Sequence, residues 1–180
     1  MTTDNELDRW NTRFGAPEYI FGTTPNAFLA SNAHRLKPGQ RALSVADGEG
    51  RNSVWLAEQG LDVSAFDFSP AGVEKARRLA AARGVKVRHE VATVYGYAWP
   101  EAAFDVVAAI FVQFADPKMR AFLFEHMARA LKPGGLLLVE GYTPKQLEFG
   151  TGGPKQVENM YTEALLRQAF AGFAIQDLRQ

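Results

Sequence analysis

Six consecutive residues, Asp47-Gly48-Glu49-Gly50-Arg51-Asn52, set two glycines among two acids, a guanidinium and an amide. Glycine permits positive φ and removes side chains that would keep a ligand from the backbone. A turn of this kind between a strand and a helix aims free N–H groups outward and makes a cradle for a polar ligand. Asp67 follows seventeen residues after Gly50. An acid at about that distance can accept hydrogen bonds from both hydroxyls of an adenosine ribose, and it repels a phosphate placed there. That chemistry suits NAD as readily as another adenosine ligand. The turn reads G-x-G-x-x-S, with Ser53 where a dinucleotide fingerprint has its third glycine. Tyr142 and Lys145 stand three apart, not the four of a short-chain dehydrogenase pair, and no Gly-Lys-Ser/Thr P-loop occurs.

Such residues need a scaffold, and the hydrophobic pattern supplies one. Leu7, Trp10 and Phe14 mark a short helix, and residues 26–36 a second, stopped by Lys37-Pro38-Gly39. From there strands and helices alternate. Strands are expected at 42–46, 62–66, 85–91, 104–112 and 136–140, with a last one at 173–178. The intervening helices start with Ser53, with Ser69-Pro70, with Asp116-Pro117 and with Thr162. Alternation of this kind predicts an α/β fold: three layers, αβα, around a doubly wound, mostly parallel sheet. The glycine turn then lies at the carboxyl edge of the sheet, where ligands of such folds bind. Residues 143–160, with three glycines and two prolines, form a long loop suited to a lid.

Composition narrows the function classes. A chain of 180 residues, 47% hydrophobic and 22% charged, predicts one globular domain over 1–180, with a cap region at 1–40 and the core at 41–180. Zero net charge gives no support for nucleic-acid binding. The absence of cysteine excludes disulfides and thiolate chemistry. The polar start MTTDNELDRW is not an export signal, and no apolar run approaches a membrane span. A cytoplasmic monomer or homodimer acting on a small molecule is the expectation. His34, His89 and His126 have no metal-ligand spacing, so no metal is expected.

Four segments in order resemble the class I S-adenosylmethionine-dependent methyltransferases, and among them the small-molecule branch with the tellurite-resistance-type enzymes. They are Asp47 to Asn52; Asp67-Phe68-Ser69-Pro70; Phe104-Asp105-Val106-Val107 leading to Ile110-Phe111-Val112-Gln113-Phe114; and Leu131-Lys132-Pro133-Gly134-Gly135. Tyr19-Ile20-Phe21-Gly22-Thr23-Thr24-Pro25 and Tyr142-Thr143-Pro144 extend the likeness. The resemblance implies a Rossmann-like methyltransferase fold and S-adenosylmethionine as cofactor. It implies that Gly48 and Gly50 meet the methionine part, Arg51 or Asn52 its carboxylate, and Asp67 the ribose. Phe68, with Ser69 beside it, would flank the adenine, Ala92-Thr93-Val94 would border it, and Ile110-Phe111 would lie near the methyl group. The sequence departs from the family pattern at Ser44 (often Asp), Ala46 (often Gly), Asp47 (commonly Cys or Gly, with Glu49 the other nearby acid) and Thr93 (often an acid). It also ends after its sixth expected strand, so the family's terminal antiparallel strand is expected to be missing.

Methyl transfer from a sulfonium needs alignment and exclusion of water more than acid or base help. The loops offer only Glu140 and Glu148 as bases, which favours a soft acceptor such as a thiol or a selenium or tellurium oxyanion. Tyr19, Phe21 and Tyr142 are candidate substrate residues, as aromatics able to face a sulfonium. An NAD-dependent oxidoreductase and a non-catalytic S-adenosylmethionine-binding protein are the alternatives.

Overall fold

The computed structural model describes residues 3–150 and 152–180. Met1 and Thr2, in the polar start, and Thr151, in the long loop, lie outside the described residues. Five strands form one sheet: β1 (Arg41–Val45), β2 (Asp62–Asp67), β3 (Val87–Val91), β4 (Phe104–Ile110) and β5 (Leu131–Glu140). Their order is β3-β2-β1-β4-β5, and every pairing is parallel. The order reverses between β1 and β4, which makes their carboxyl ends the switch point of a doubly wound sheet. Among the described residues no strand is antiparallel, as the sequence led us to expect.

Both faces of the sheet are apolar because both are covered. On one face Leu43, Val45, Phe66 and Val107 meet Leu123, Phe124 and Met127 of α5 (Pro117–Ala130) and Phe170, just past α7 (Glu163–Ala169). On the other, Ala42, Val63, Val106 and Leu138 meet Leu29 of α2 (Ala27–Ser31) and Leu56 of α3 (Arg51–Glu58). Leu79 and Ala80 of α4 (Pro70–Ala82) pack on Val54 of α3. The expected caps set the helix starts: Ser69 Oγ accepts from Gly72 N at 3.2 Å, and Asp116 Oδ1 from Met119 N at 2.8 Å, each before a proline. α1 (Thr3–Phe14) packs across α4, and a short α6 (Gln146–Phe149) lies inside the long loop.

Three expectations change. The helix over 26–36 breaks after Ser31, where the Asn32 amide turns back to Phe28 O at 2.9 Å and a 3-10 turn follows at Ala33–Arg35. Lys132-Pro133-Gly134-Gly135 falls within β5 as a bulge: pairing jumps from Phe104–Leu131 to Val106–Leu136. Residues 173–178 are not a strand. A strand needs a neighbour to take its backbone groups, and the segment is held by side chains instead, Arg35 to Gln176 at 3.3 Å and Arg179 to Ser31 at 3.4 Å.

Candidate functional site

The turn after β1 takes up the left-handed conformation three times in five residues, at Ala46 (φ 49°), Gly48 (61°) and Gly50 (91°). Asp67, buried at the end of β2, fastens it: Oδ2 accepts from Gly48 N and Oδ1 from Ser69 N, both at 2.9 Å. Burial pushes the Asp67 carboxyl up to about 6, against the pull of those two N–H donors. Ionised carboxylate oxygens have about two acceptor sites each, so both can still accept from a ligand hydroxyl. Ser69 Oγ caps α4 and also donates to Asn11 Oδ1 at 2.5 Å, while its N–H holds Asp67.

Another non-glycine left-handed residue follows the neighbouring strand. Phe111 (φ 58°) follows Ile110, its N–H donates to Glu140 O at 2.8 Å, and its ring lies 4.7 Å from that of Tyr142. Non-glycine residues held in this region cost about 1–3 kcal/mol and gather at ligand sites. Here Ala46 follows β1 and Phe111 follows β4, at the carboxyl ends of two paired strands. Glu140, half-buried at the end of β5, has a buried oxygen, Oε2, with no hydrogen-bond partner among the described residues. Burial raises its carboxyl, opposed by the Asn26 amide and the Arg51 charge. Past the end of β2, Phe68 stacks on Phe114 at 5.9 Å. Ala92 N donates to Asp67 O at 3.0 Å, which joins the ends of β2 and β3. Thr93 Oγ1 accepts from Gly96 N at 3.0 Å, and the Val94 side chain goes into the core.

Several residues singled out by sequence have intramolecular partners. Glu49 is buried against Lys75 Nζ at 2.7 Å and accepts from Ile20 N at 2.8 Å. Asn52 Oδ1 accepts from Asn26 N at 3.0 Å. Both side chains fasten the 16–26 segment to the turn. Tyr19 donates to Lys75 O at 3.1 Å and packs on Val54, Leu79 and Ala80, beside α3 and α4. Phe21 is exposed, and the Arg51 and Arg13 guanidinium groups lie 5.6 and 5.8 Å from its ring. Arg51 also donates to Phe21 O at 3.2 Å, and its burial lowers its pKa against the nearby acids, Glu140 foremost. Asp47 points into the protein, where Ser44, Ser53 and His89 surround it. A Cβ on Gly50 would come within 2.7 Å of Ala76 Cα, so this glycine also serves the approach of α3 to α4.

Three residues to which the sequence assigns no site role shape the site. The Phe14 ring of α1 lies against the turn, 3.3 Å from where a Gly48 Cβ would stand. Asn11 joins α1 to the start of α4 through Ser69. Buried Gln113 accepts from Tyr142 N at 2.6 Å and donates to Tyr142 O and Asn159 O at 2.9 and 3.2 Å, which ties down both ends of the long loop. None carries a local signal, because each partner lies 29 or more residues away.

The family model described as a methyltransferase domain matches residues 42–135, from β1 into β5. The chain belongs to this family. A demethylmenaquinone methyltransferase of Thermus thermophilus is 36% identical over 112 residues, which are 60% of this chain and 50% of that protein. The chain spans half or less of the length of the curated relatives it matches first. A methyltransferase of Geobacter sulfurreducens solved with S-adenosylhomocysteine superposes with a TM-score of 0.66 at 22% identity, covering 91% of this chain and 69% of that one. A TehB-like methyltransferase of Corynebacterium glutamicum gives 0.63 at 19%, covering 93% and 80%. The five parallel strands and their helices are thus the class I S-adenosylmethionine-dependent methyltransferase fold.

Proposed function

We propose that the chain binds S-adenosylmethionine along the carboxyl ends of β1, β2 and β4 and passes its methyl group to a small acceptor. The observation that carries this reading is the buried carboxylate of Asp67 fastened to the glycine turn, with left-handed residues, Ala46 and Phe111, just past the ends of β1 and β4. Asp67 would take the ribose hydroxyls and Phe68 one face of the adenine. Gly48 and Arg51 would meet the methionine part, and Ile110 and Phe111 would lie under the sulfonium. The acceptor would enter beside Tyr142 and Phe21. Residues 41–180 would be the catalytic core and 1–40 its cap, within one domain.

A soft acceptor fits because no histidine stands at this edge among the described residues: His34 is exposed beside α2, His89 is under the turn and His126 packs on Phe122. This agrees with the tellurite-type reading, and a monomer or homodimer in the cytoplasm with no nucleic-acid partner is part of it. No helix among the described residues is long and apolar enough to cross a membrane. The quinone-methylating relatives support a second reading, an aromatic acceptor against the Phe111–Tyr142 rings with Glu140 as base. Calorimetry with S-adenosylmethionine, S-adenosylhomocysteine and NAD tests the cofactor, and binding of NAD alone sinks the proposal. Methyl transfer to thiols and chalcogen oxyanions, but not to quinols, supports the first acceptor; the reverse supports the second.

A further inference from the structure

Three of the residues that depart from the family and fingerprint patterns, Ser44, Asp47 and Ser53, meet in one buried cluster. Asp47 Oδ1 accepts from Ser44 Oγ at 2.7 Å and from Ser53 N at 3.1 Å, and Oδ2 accepts from Ser53 Oγ. His89, from β3, completes it, with Nε2 3.3 Å from Ser53 Oγ and 3.9 Å from Asp47 Oδ2. The Asp47 and His89 side chains are each 2% exposed. Burying a carboxylate is costly unless it is paired and hydrogen-bonded, so the cluster must return something local. It does two things. α3 begins at Gly50, which has no side chain to cap it, and Asp47 supplies the missing acceptor and negative charge to the Ser53 N–H in the first turn. The Ser44–Asp47 bond also spans Ala46, so it holds the strained left-handed residue that glycine would occupy without strain.

We propose that Asp47 and His89 are positioning residues that act through Ser44 and Ser53 to hold the cofactor turn in its binding shape. The inference rests on the cofactor reading above. Neither side chain is a ligand contact; both act through Ser44 and Ser53, which flank the turn on either side. The charged groups around the pair are few. Arg77 of α4 donates to His89 O at 3.1 Å and opposes a charge on the imidazole, Arg51 opens α3, and Asp67 lies across Gly48. Burial pushes the Asp47 carboxyl up and the His89 imidazole down, while each partner's charge works against that push.

The test is S-adenosylhomocysteine affinity by calorimetry at pH 7.5, with thermal unfolding of each variant to confirm folding. His89→Phe keeps a planar ring but removes the ring nitrogens, and it should weaken binding about tenfold, the size expected of one buried polar contact. His89→Gln, which keeps a donor, should recover affinity to within about threefold of wild type. In an Asp47→Asn background, His89→Phe should cost less than about twofold, since the partner is already discharged. Exposed His34→Gln is the control. Equal binding by wild type and His89→Phe, no rescue by His89→Gln, or the same tenfold loss in both backgrounds would overturn the inference alone. A wild-type protein that binds no S-adenosylhomocysteine overturns the cofactor reading and this inference with it. If His89→Phe does not fold, Ser44→Ala replaces it: it removes one donor to Asp47, and unchanged affinity there counts against the proposal.

Discussion

Asp67 shows how a residue read from spacing acquires a second duty in three dimensions. The sequence places it as a ribose acceptor; the structure adds the fastening of Gly48 and Ser69. Its pH behaviour separates the two roles. In the folded chain the carboxyl titrates at about 6, above the ordinary 3.8. Its contribution to folding stability is therefore full below pH 3.8 and is lost as the pH rises through 6. A ribose has the opposite preference, because two hydroxyl donors favour the ionised acid. Affinity for S-adenosylhomocysteine should hold above pH 7 and weaken as the pH falls through 6, by up to about tenfold per pH unit. Binding at pH 6 should release a proton, visible as a buffer-dependent heat in calorimetry. Affinity that is flat between pH 5 and 7.5, with no proton release, would place the ribose elsewhere.

The elements were largely legible. Alternation of apolar runs with Ser69-Pro70 and Asp116-Pro117 starts marks each βα unit, because caps and prolines act locally. The strand expected at 173–178 was not decidable this way: periodicity reports a face, whereas a strand also needs a neighbour. The polar residues of the turn were illegible for a related reason. Whether Glu49 or Asn52 faces a ligand depends on Lys75, Ile20 and Asn26, none of them near in sequence. Gly50 is the clearest case, since a glycine in a fingerprint reads as a ligand residue while its missing Cβ also admits α4. Gly50→Ala would bring a Cβ within 2.7 Å of Ala76 Cα and Cβ at φ 91°. Left-handed strain and overpacking together should cost about 2–4 kcal/mol, a fall in thermal midpoint of roughly 5–15 °C. Gly48→Ala meets the Phe14 ring at 3.3 Å and should lower the midpoint less. Equal losses in circular-dichroism melts would refute this division of labour.

At the scale of the whole molecule, the turn joins parts that are distant in sequence. Phe14 and Asn11 bring α1 onto it, Glu49 and Asn52 bring in the 16–26 segment, and Asp67 and Ala92 join the ends of β2 and β3. In the proposed binding mode a ligand would contact most of these parts, so its binding energy should be felt as global stability. A ligand that binds only the folded state stabilises by about 2.7 kcal/mol at a hundredfold excess over its dissociation constant. For a domain of this size that is a rise in midpoint of about 5–10 °C. S-adenosylhomocysteine should give that rise, with α1 and α4 gaining amide protection together because Phe14 and Asn11 couple them. NAD at the same concentration should give none. Protection confined to residues 46–52, without α1, would mean that the cap does not take part in holding the cofactor, and a rise with NAD would return the oxidoreductase reading to contention.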